Sequence, residues 1–127
     1  MRQGAKSFRE LEVYQVAFGF QQDVFQASKT WPKEEIYALT SQARRCTRAV
    51  GGAIAEAWGK RRYPAHFLSK LTDADSENQE SQHWIATAKA CDYISQDLAE
   101  AWQEQTESIG RLLGSMMSKH ESFCSTR

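Results

Sequence analysis

The chain has few of the residues that break helices and none of the patterns that staple small folds. Only two prolines and seven glycines occur in 127 residues, and no run alternates apolar and polar residues long enough to read as a strand, which leaves little room for a sheet. Cys46, Cys91 and Cys124 are odd in number, widely spaced and without a C-x-x-C pair. That suggests neither a disulfide framework nor a zinc site, and it suits a reducing, cytoplasmic setting. No stretch approaches the roughly 18 consecutive apolar residues of a membrane span. Met1 to Ser7 carries cations but no apolar run behind them, so neither export nor membrane contact is expected. The formal net charge is zero, so the chain as a whole lacks the cation excess that drives attachment to a phosphate backbone or an anionic bilayer.

Catalytic patterns are equally scarce. There is no Gly-x-Ser-x-Gly elbow and no phosphate-cradling glycine loop, and Gly51-Gly52 falls mid-helix by periodicity. Cys46 belongs to an apolar stripe, where a thiol is packing rather than a nucleophile. Glu80-Ser81-Gln82-His83 has the spacing of half a di-iron constellation, but such sites need a second Glu-x-x-His and ligands that project inward. The second motif is missing, and periodicity turns Glu80 and His83 away from the apolar seam. His66 and His120 have no ligand-spaced companion. No enzyme activity, metal, cofactor or small-molecule substrate is expected.

What the chain does have is helical periodicity. Four segments of similar length emerge, which predicts an all-α, antiparallel up-down-up-down four-helix bundle over residues 8–118, with flexible ends at 1–7 and 119–127. The first helix is predicted from about Phe8 to Ser28, stopped before Pro32 because proline disfavours helix at the residue preceding it. Glu34 and Glu35 suit the positive end of a second helix, whose seam reads Ile36, Leu39, Ala43, Cys46, Val50, Ile54, Ala57 and Trp58. Pro64 fits the first position of a third helix carrying Phe67, Leu71, Ala74, Ile85 and Ala88 inward. Ser95 is a good N-cap for a fourth, with Leu98, Trp102, Ile109, Leu112, Leu113 and Met116 at helical spacing to about Ser118.

Three surfaces are left over. The first helix has two apolar faces, Leu11, Tyr14, Phe18 and Phe25 on one and Val13, Val16, Phe20, Val24 and Ala27 on the other, where a bundle helix needs only one stripe. Either it sits deep in a distorted bundle or its second face meets another protein surface. The expected oligomer interface is Val13, Val16, Phe20 and Val24, joined by the small residues Gly52, Ala55 and Gly59 of the second helix, since several glycines in a helix hint at close approach of another backbone. Next, Arg44, Arg45 and Arg48, with Lys60, Arg61 and Arg62, give basic ends to that second helix, a candidate contact for another subunit or for nucleic acid. Finally, Asp75, Asn78, Ser81 and Gln82 fall on or beside the apolar face of the third helix, where each needs a polar partner or partial exposure. The halves of the chain differ in sign: residues 1–72 hold 12 Lys+Arg against 6 Asp+Glu, and residues 73–127 hold 4 against 10. Asp73, Asp75, Glu77 and Glu80 are therefore natural complements for the arginines, within one chain or across subunits.

Leu11-Glu12-Val13-Tyr14-Gln15, Leu39-Thr40-Ser41-Gln42 with Arg44-Arg45, Ile54-Ala55-Glu56 with Trp58-Gly59, and Tyr93-Ile94-Ser95 together resemble the bacterial four-helix bundle proteins related to the product encoded in 23S ribosomal RNA intervening sequences. The resemblance runs from Phe8 to about Met117 and places its signature at Ser41, Gln42, Arg44, Arg45, Glu56 and Gly59, none of them catalytic. Known members form homopentameric rings, so a homo-oligomer, and a pentamer in particular, is what the resemblance implies. A related accessory protein of diversity-generating retroelements binds nucleic acid through a basic surface, which makes RNA or DNA the alternative partner. The chain departs from the family where Gly51-Gly52-Ala53 replaces Pro-Ser-Asn and Ala57 replaces the glycine after Glu56.

Overall fold

A computed structural model describes residues 4–124; the outermost residues of both expected flexible ends, 1–3 and 125–127, lie outside the described residues. Four helices carry the fold: α1 (Glu12–Ser28), α2 (Leu39–Gly59), α3 (Pro64–Ala90) and α4 (Gln96–Ser118), with short 3-10 turns at Phe8–Glu10, Lys33–Glu35 and His120–Phe123. The described residues contain no strand, and none of their helices is long and apolar enough to cross a membrane.

Pairwise contacts give the topology directly. Between α1 and α2, Ser28 meets Arg44 and Tyr14 meets Gly51. Between α2 and α3, Arg45 meets Glu80 and Glu56 meets Lys70. Asn78 of α3 reaches Thr106 of α4, and Phe67 lies beside Phe123, just beyond the end of α4. In each pair early residues of one helix face late residues of the next, so successive neighbours are antiparallel, and Phe20 against Trp102 brings α4 back to α1.

The ends are set by local chemistry. Pro64 opens α3, where its missing N–H costs nothing. Asp92 closes that helix at φ 62°, with Tyr93 N–H donating to the Ala88 carbonyl and Asp92 N–H to that of Lys89, a Schellman turn in which a short polar side chain tolerates the left-handed region. Ser95 Oγ accepts from Leu98 N–H at 3.0 Å and starts α4. The second helix begins later than its acidic start suggested. Pro32 leads into a 3-10 turn, and Glu35, instead of lying within α2, caps it by accepting from Leu39 N–H at 3.2 Å while its other oxygen accepts from the Tyr93 hydroxyl at 2.8 Å. Ile36 consequently leaves the seam and is 43% exposed.

Inside, α1 contributes Val13, Ala17, Phe20, Val24 and Ser28, a run at intervals of three and four residues that forms one helical stripe. It packs with Leu39, Ala43, Cys46, Val50, Ile54 and Ala57 of α2, with Phe67, Leu71, Ala74, Ile85 and Ala88 of α3, and with Trp102, Ile109, Leu113 and Met116 of α4. Each large side chain fully buried here stabilises the fold by roughly 1.5 to 3 kcal/mol. Two polar residues of α3 lie in this core: Ser81 Oγ donates to the Glu77 carbonyl at 2.8 Å, and Asn78 Nδ2 donates across to the Thr106 carbonyl at 2.9 Å. Asp75 and Gln82, beside them, are half-buried. The C-terminal segment expected to fray carries the last 3-10 turn, and its Phe123 ring centroid lies 6.0 Å from that of Phe67.

Candidate functional site

The core assignment decides which face of α1 is surplus, and it reverses the expectation. Val13, Phe20 and Val24 are at most 2% exposed within their own chain, so they cannot form an oligomer interface; Val16 is half-buried at the edge of the core. Both stripes of α1 satisfy helical spacing, and the one chosen from sequence is the inner one. The outward stripe is Tyr14, Phe18 and Phe25, with Leu11 buried at its start. Phe18 is 45% exposed. Its ring stacks on Tyr14 at 5.9 Å, and Tyr14 meets Phe8 edge-on at 4.9 Å. Gln21 interrupting the aromatic run, and Lys29 one turn beyond Phe25, were the sequence signals of a solvent-facing side.

Across the α1–α2 seam the stripe meets cations. The Lys29 ammonium and the Arg44 guanidinium each lie 4.8 Å from the Phe25 ring centroid, and the Arg48 guanidinium lies at 5.2 Å. Arg44 Nε also donates to the buried Ser28 Oγ at 2.8 Å, which fixes its position. A cation over an aromatic face is worth roughly 0.5 to 1 kcal/mol at an exposed site, so the ring holds these charges without neutralising them. Among the described residues, the ion pairs engage Arg45 and Lys70 and none of these three cations. A β-carbon at Gly51 would sit 3.5 Å from the Tyr14 ring, an ordinary contact distance, so the Tyr14 ring lies against α2 at this point.

The six cations expected to act together are divided by the fold. Arg45 turns to α3, where Nη1 lies 3.4 Å from Glu77 and Nη2 lies 2.8 Å from Glu80 and 3.1 Å from the Cys46 sulfur. Trp84 Nε1 donates to the same Glu80 oxygen at 3.0 Å. Glu80 thus lies against α2 rather than pointing away from the helix interface, while His83 is exposed beside Trp84. Cys46, Glu77 and Glu80 offer ligand atoms within 4.8 Å of one another, but the guanidinium already supplies the positive charge that such a trio would seek. The Trp84 hydrogen bond first, then those to Cys46 and Arg45, hold the Glu80 carboxyl below its ordinary range. Burial first, then Glu80, pushes the Cys46 thiol up to about 12. Lys60, Arg61 and Arg62 lie at the far end of α2, about 24 Å from Arg44 at 1.5 Å per residue, and the Arg61 guanidinium rests 3.7 Å over Trp58.

The other expected positions are accounted for individually. Gly52 and Gly59 are exposed, with nothing within 4 Å of where a β-carbon would stand, and Ala55 is half-buried between them. Ser41 Oγ donates to the Ala38 carbonyl, Gln42 accepts from Arg45 Nε, and Glu56 pairs with Lys70 at 2.9 Å. The first two contacts lie within α2 or at its start, and the third binds it to α3. Large exposed hydrophobics follow the cations: Phe18, Ile36, Tyr37 and Tyr63 all belong to the first half of the chain. Sequence reasoning missed Tyr37, which is 93% exposed, because the late start of α2 was not foreseen.

Residues 9–115 match the family model described as 23S rRNA-intervening sequence protein. The chain belongs to that family. No curated protein matches this 23S rRNA-intervening sequence protein family member. Among solved structures it is similar to a protein of unknown function from the S23 ribosomal protein family of Bacteroides thetaiotaomicron, with a TM-score of 0.76 and 23% identity over 84% of this chain and 95% of the other. That likeness supports the helical fold.

Proposed function

We propose that this family member is a non-enzymatic, cytoplasmic protein that assembles with copies of itself through the outer face of α1 and α2. The observation that carries this reading is Phe18, exposed outside a completed core with the half-buried Tyr14 and Phe25 on the same side of α1, beside three cations without ion-pair partners among the described residues. A strip of this kind gains by leaving water, and a chain of zero net charge whose halves are oppositely signed carries the complementary charges for its own copies. Five subunits is the stoichiometry that the family resemblance implies. Sedimentation equilibrium in the micromolar range tests it: a mass several times 14.5 kDa is expected, and a strictly monomeric mass removes the reading.

Nucleic acid is the second reading, favoured by one observation. Phe18 is an exposed, already stacked ring on the same helix face as Phe25, about 10 Å along α1 from the cations gathered there, and rings with cations are the combination on which single strands stack bases and neutralise phosphates. Binding of mixed-sequence RNA or single-stranded DNA should then fall steeply with salt and should be lost in Arg44→Glu/Arg48→Glu. No binding at low ionic strength would eliminate it.

A further inference from the structure

We propose that the end of the bundle where α2 turns into α3 docks on the surface of an anionic lipid bilayer, with that turn as its leading edge. The inference uses neither the outer face of α1 nor assembly, so it stands or falls apart from both readings above. Zero net charge opposes such a contact only where the charge is evenly spread, and the fold separates it. Because successive helices are antiparallel, the start of α1, the end of α2, the start of α3 and the end of α4 share one end. Leu11, Lys119 and Phe123 line a common groove there, and Phe123 lies beside Phe67. This end carries Lys6, Arg9, Lys60, Arg61, Arg62 and Lys119 against Glu10, Glu12 and Glu121, six cations to three acids. The other end carries Lys29, Lys33 and Lys89 against Glu34, Glu35, Asp92, Asp97 and Glu100, three cations to five acids. The bundle is thus polar along its long axis, and an anionic plane attracts it by the α2–α3 end.

The charges at the basic end are available. Five of the six cations are exposed and Arg61 is half-buried, and among the described residues none of them is in an ion pair. The three arginines rest on rings instead, Arg9 at 4.6 Å from the Phe8 centroid, Arg61 at 3.7 Å from Trp58 and Arg62 at 5.9 Å from Tyr63. Arg61 Nε also donates to the Trp58 carbonyl at 2.9 Å, a bond that leaves its charge intact. Tyr63, in the turn itself, is 54% exposed. A ring with a polar tip settles at headgroup level, and each cation beside it gains roughly fivefold in affinity for an anionic leaflet. The layout favours a bilayer over a nucleic acid strand or an acidic peptide. A strand is tracked by cations along a groove, whereas these stand at the ends of several helices whose axes are about 8 to 10 Å apart. They form a patch extended in two directions, which a sheet of headgroups meets all at once.

The test is cosedimentation of the full chain with vesicles of phosphatidylcholine and phosphatidylglycerol in equal parts, beside vesicles of phosphatidylcholine alone. The chain should bind the anionic vesicles at low ionic strength, release them as salt is added, and leave the neutral ones unbound. Lys60→Gln/Arg62→Gln should weaken that binding roughly thirtyfold, with helicity by circular dichroism unchanged. Lys33→Gln/Lys89→Gln removes the same charge from the opposite end and should leave vesicle binding unaltered. Tyr63→Ala, which keeps every cation, should weaken it severalfold. No binding to the anionic vesicles, or equal binding to the neutral ones, overturns the proposal. Equal losses in the two charge variants would mean that total charge, not this end, is responsible, and would overturn it too. Mixed-sequence RNA or polyglutamate held through Lys60 and Arg62, with anionic vesicles left unbound, would assign the end to another polyanion and reject the bilayer. Each of these outcomes leaves the assembly reading untouched.

Discussion

Arg44 and Arg45 are sequence neighbours on one helix, and the bundle treats them in opposite ways. On the α3 side Arg45 closes a network with Glu77, Glu80 and the Cys46 sulfur. On the α1 side Arg44 and Arg48 lie over Phe25, which attracts them but cannot cancel their charge. One side of α2 has its arginine paired within the chain, while the other carries arginines without an ion-pair partner among the described residues. A helix turns about 100° per residue, so adjacent arginines with identical chemistry point to different neighbours. A basic run in sequence is not a basic patch in space.

The largest test of this contrast compares the two stripes of α1. Phe20→Ala, which removes a ring packed edge-on to Trp102, should destabilise the fold by about 3 to 5 kcal/mol in urea unfolding. Phe18→Ala should cost the isolated subunit less than about 1 kcal/mol while loosening assembly. If Phe20→Ala left stability intact and changed only the sedimenting mass, inner and outer stripes would have to be exchanged. A smaller effect separates the arginines. Arg45→Ala should cost up to about 1 kcal/mol, because its ion pairs are half-exposed and water screens them. Arg48→Ala should stay within about 0.5 kcal/mol in subunit stability and act on association.

Acid sharpens the comparison further. Because the Glu80 carboxyl is held below its ordinary range, its contribution is fully present above that range and lost as pH falls through the depressed value. The unmodified chain should thus lose slightly more stability on acidification than Glu80→Gln, measured by unfolding at a series of pH values. The mildest probe is a thiol reagent. Cys91 is exposed, whereas Cys46 is buried with its thiol pushed up to about 12, so in the native protein near neutral pH Cys91 should be modified and Cys46 should react only on unfolding. Rapid native labelling of Cys46 would mean that the Arg45 side opens easily.

Most of the fold was legible in the sequence because its punctuation is local. Pro64, Ser95 and the stop near Asp92 act within a few residues, and the seams of α2, α3 and α4 repeat at helical spacing. Two features escaped for physical reasons. Periodicity reports how many apolar stripes a helix has, but not which one its own bundle takes, so Val13, Phe20 and Val24 were assigned outward. Glu35 suited a first helical turn equally well, and only the distant Tyr93 hydroxyl and the Leu39 amide reveal it as a cap. The excess of apolar residues on α1 was legible, because composition and spacing reveal excess. Its location depended on contacts between residues far apart in the chain.

The bond from Arg44 Nε to Ser28 Oγ bears on the kinetics of any encounter at this face. A long, flexible cation ordinarily surrenders rotamer freedom when it is captured, at about 0.5 to 1.5 kcal/mol per side chain. Here a hydrogen bond already restrains the side chain, so an oxyanion that met this guanidinium would find part of the ordering done, and the benefit would show as longer residence rather than faster arrival.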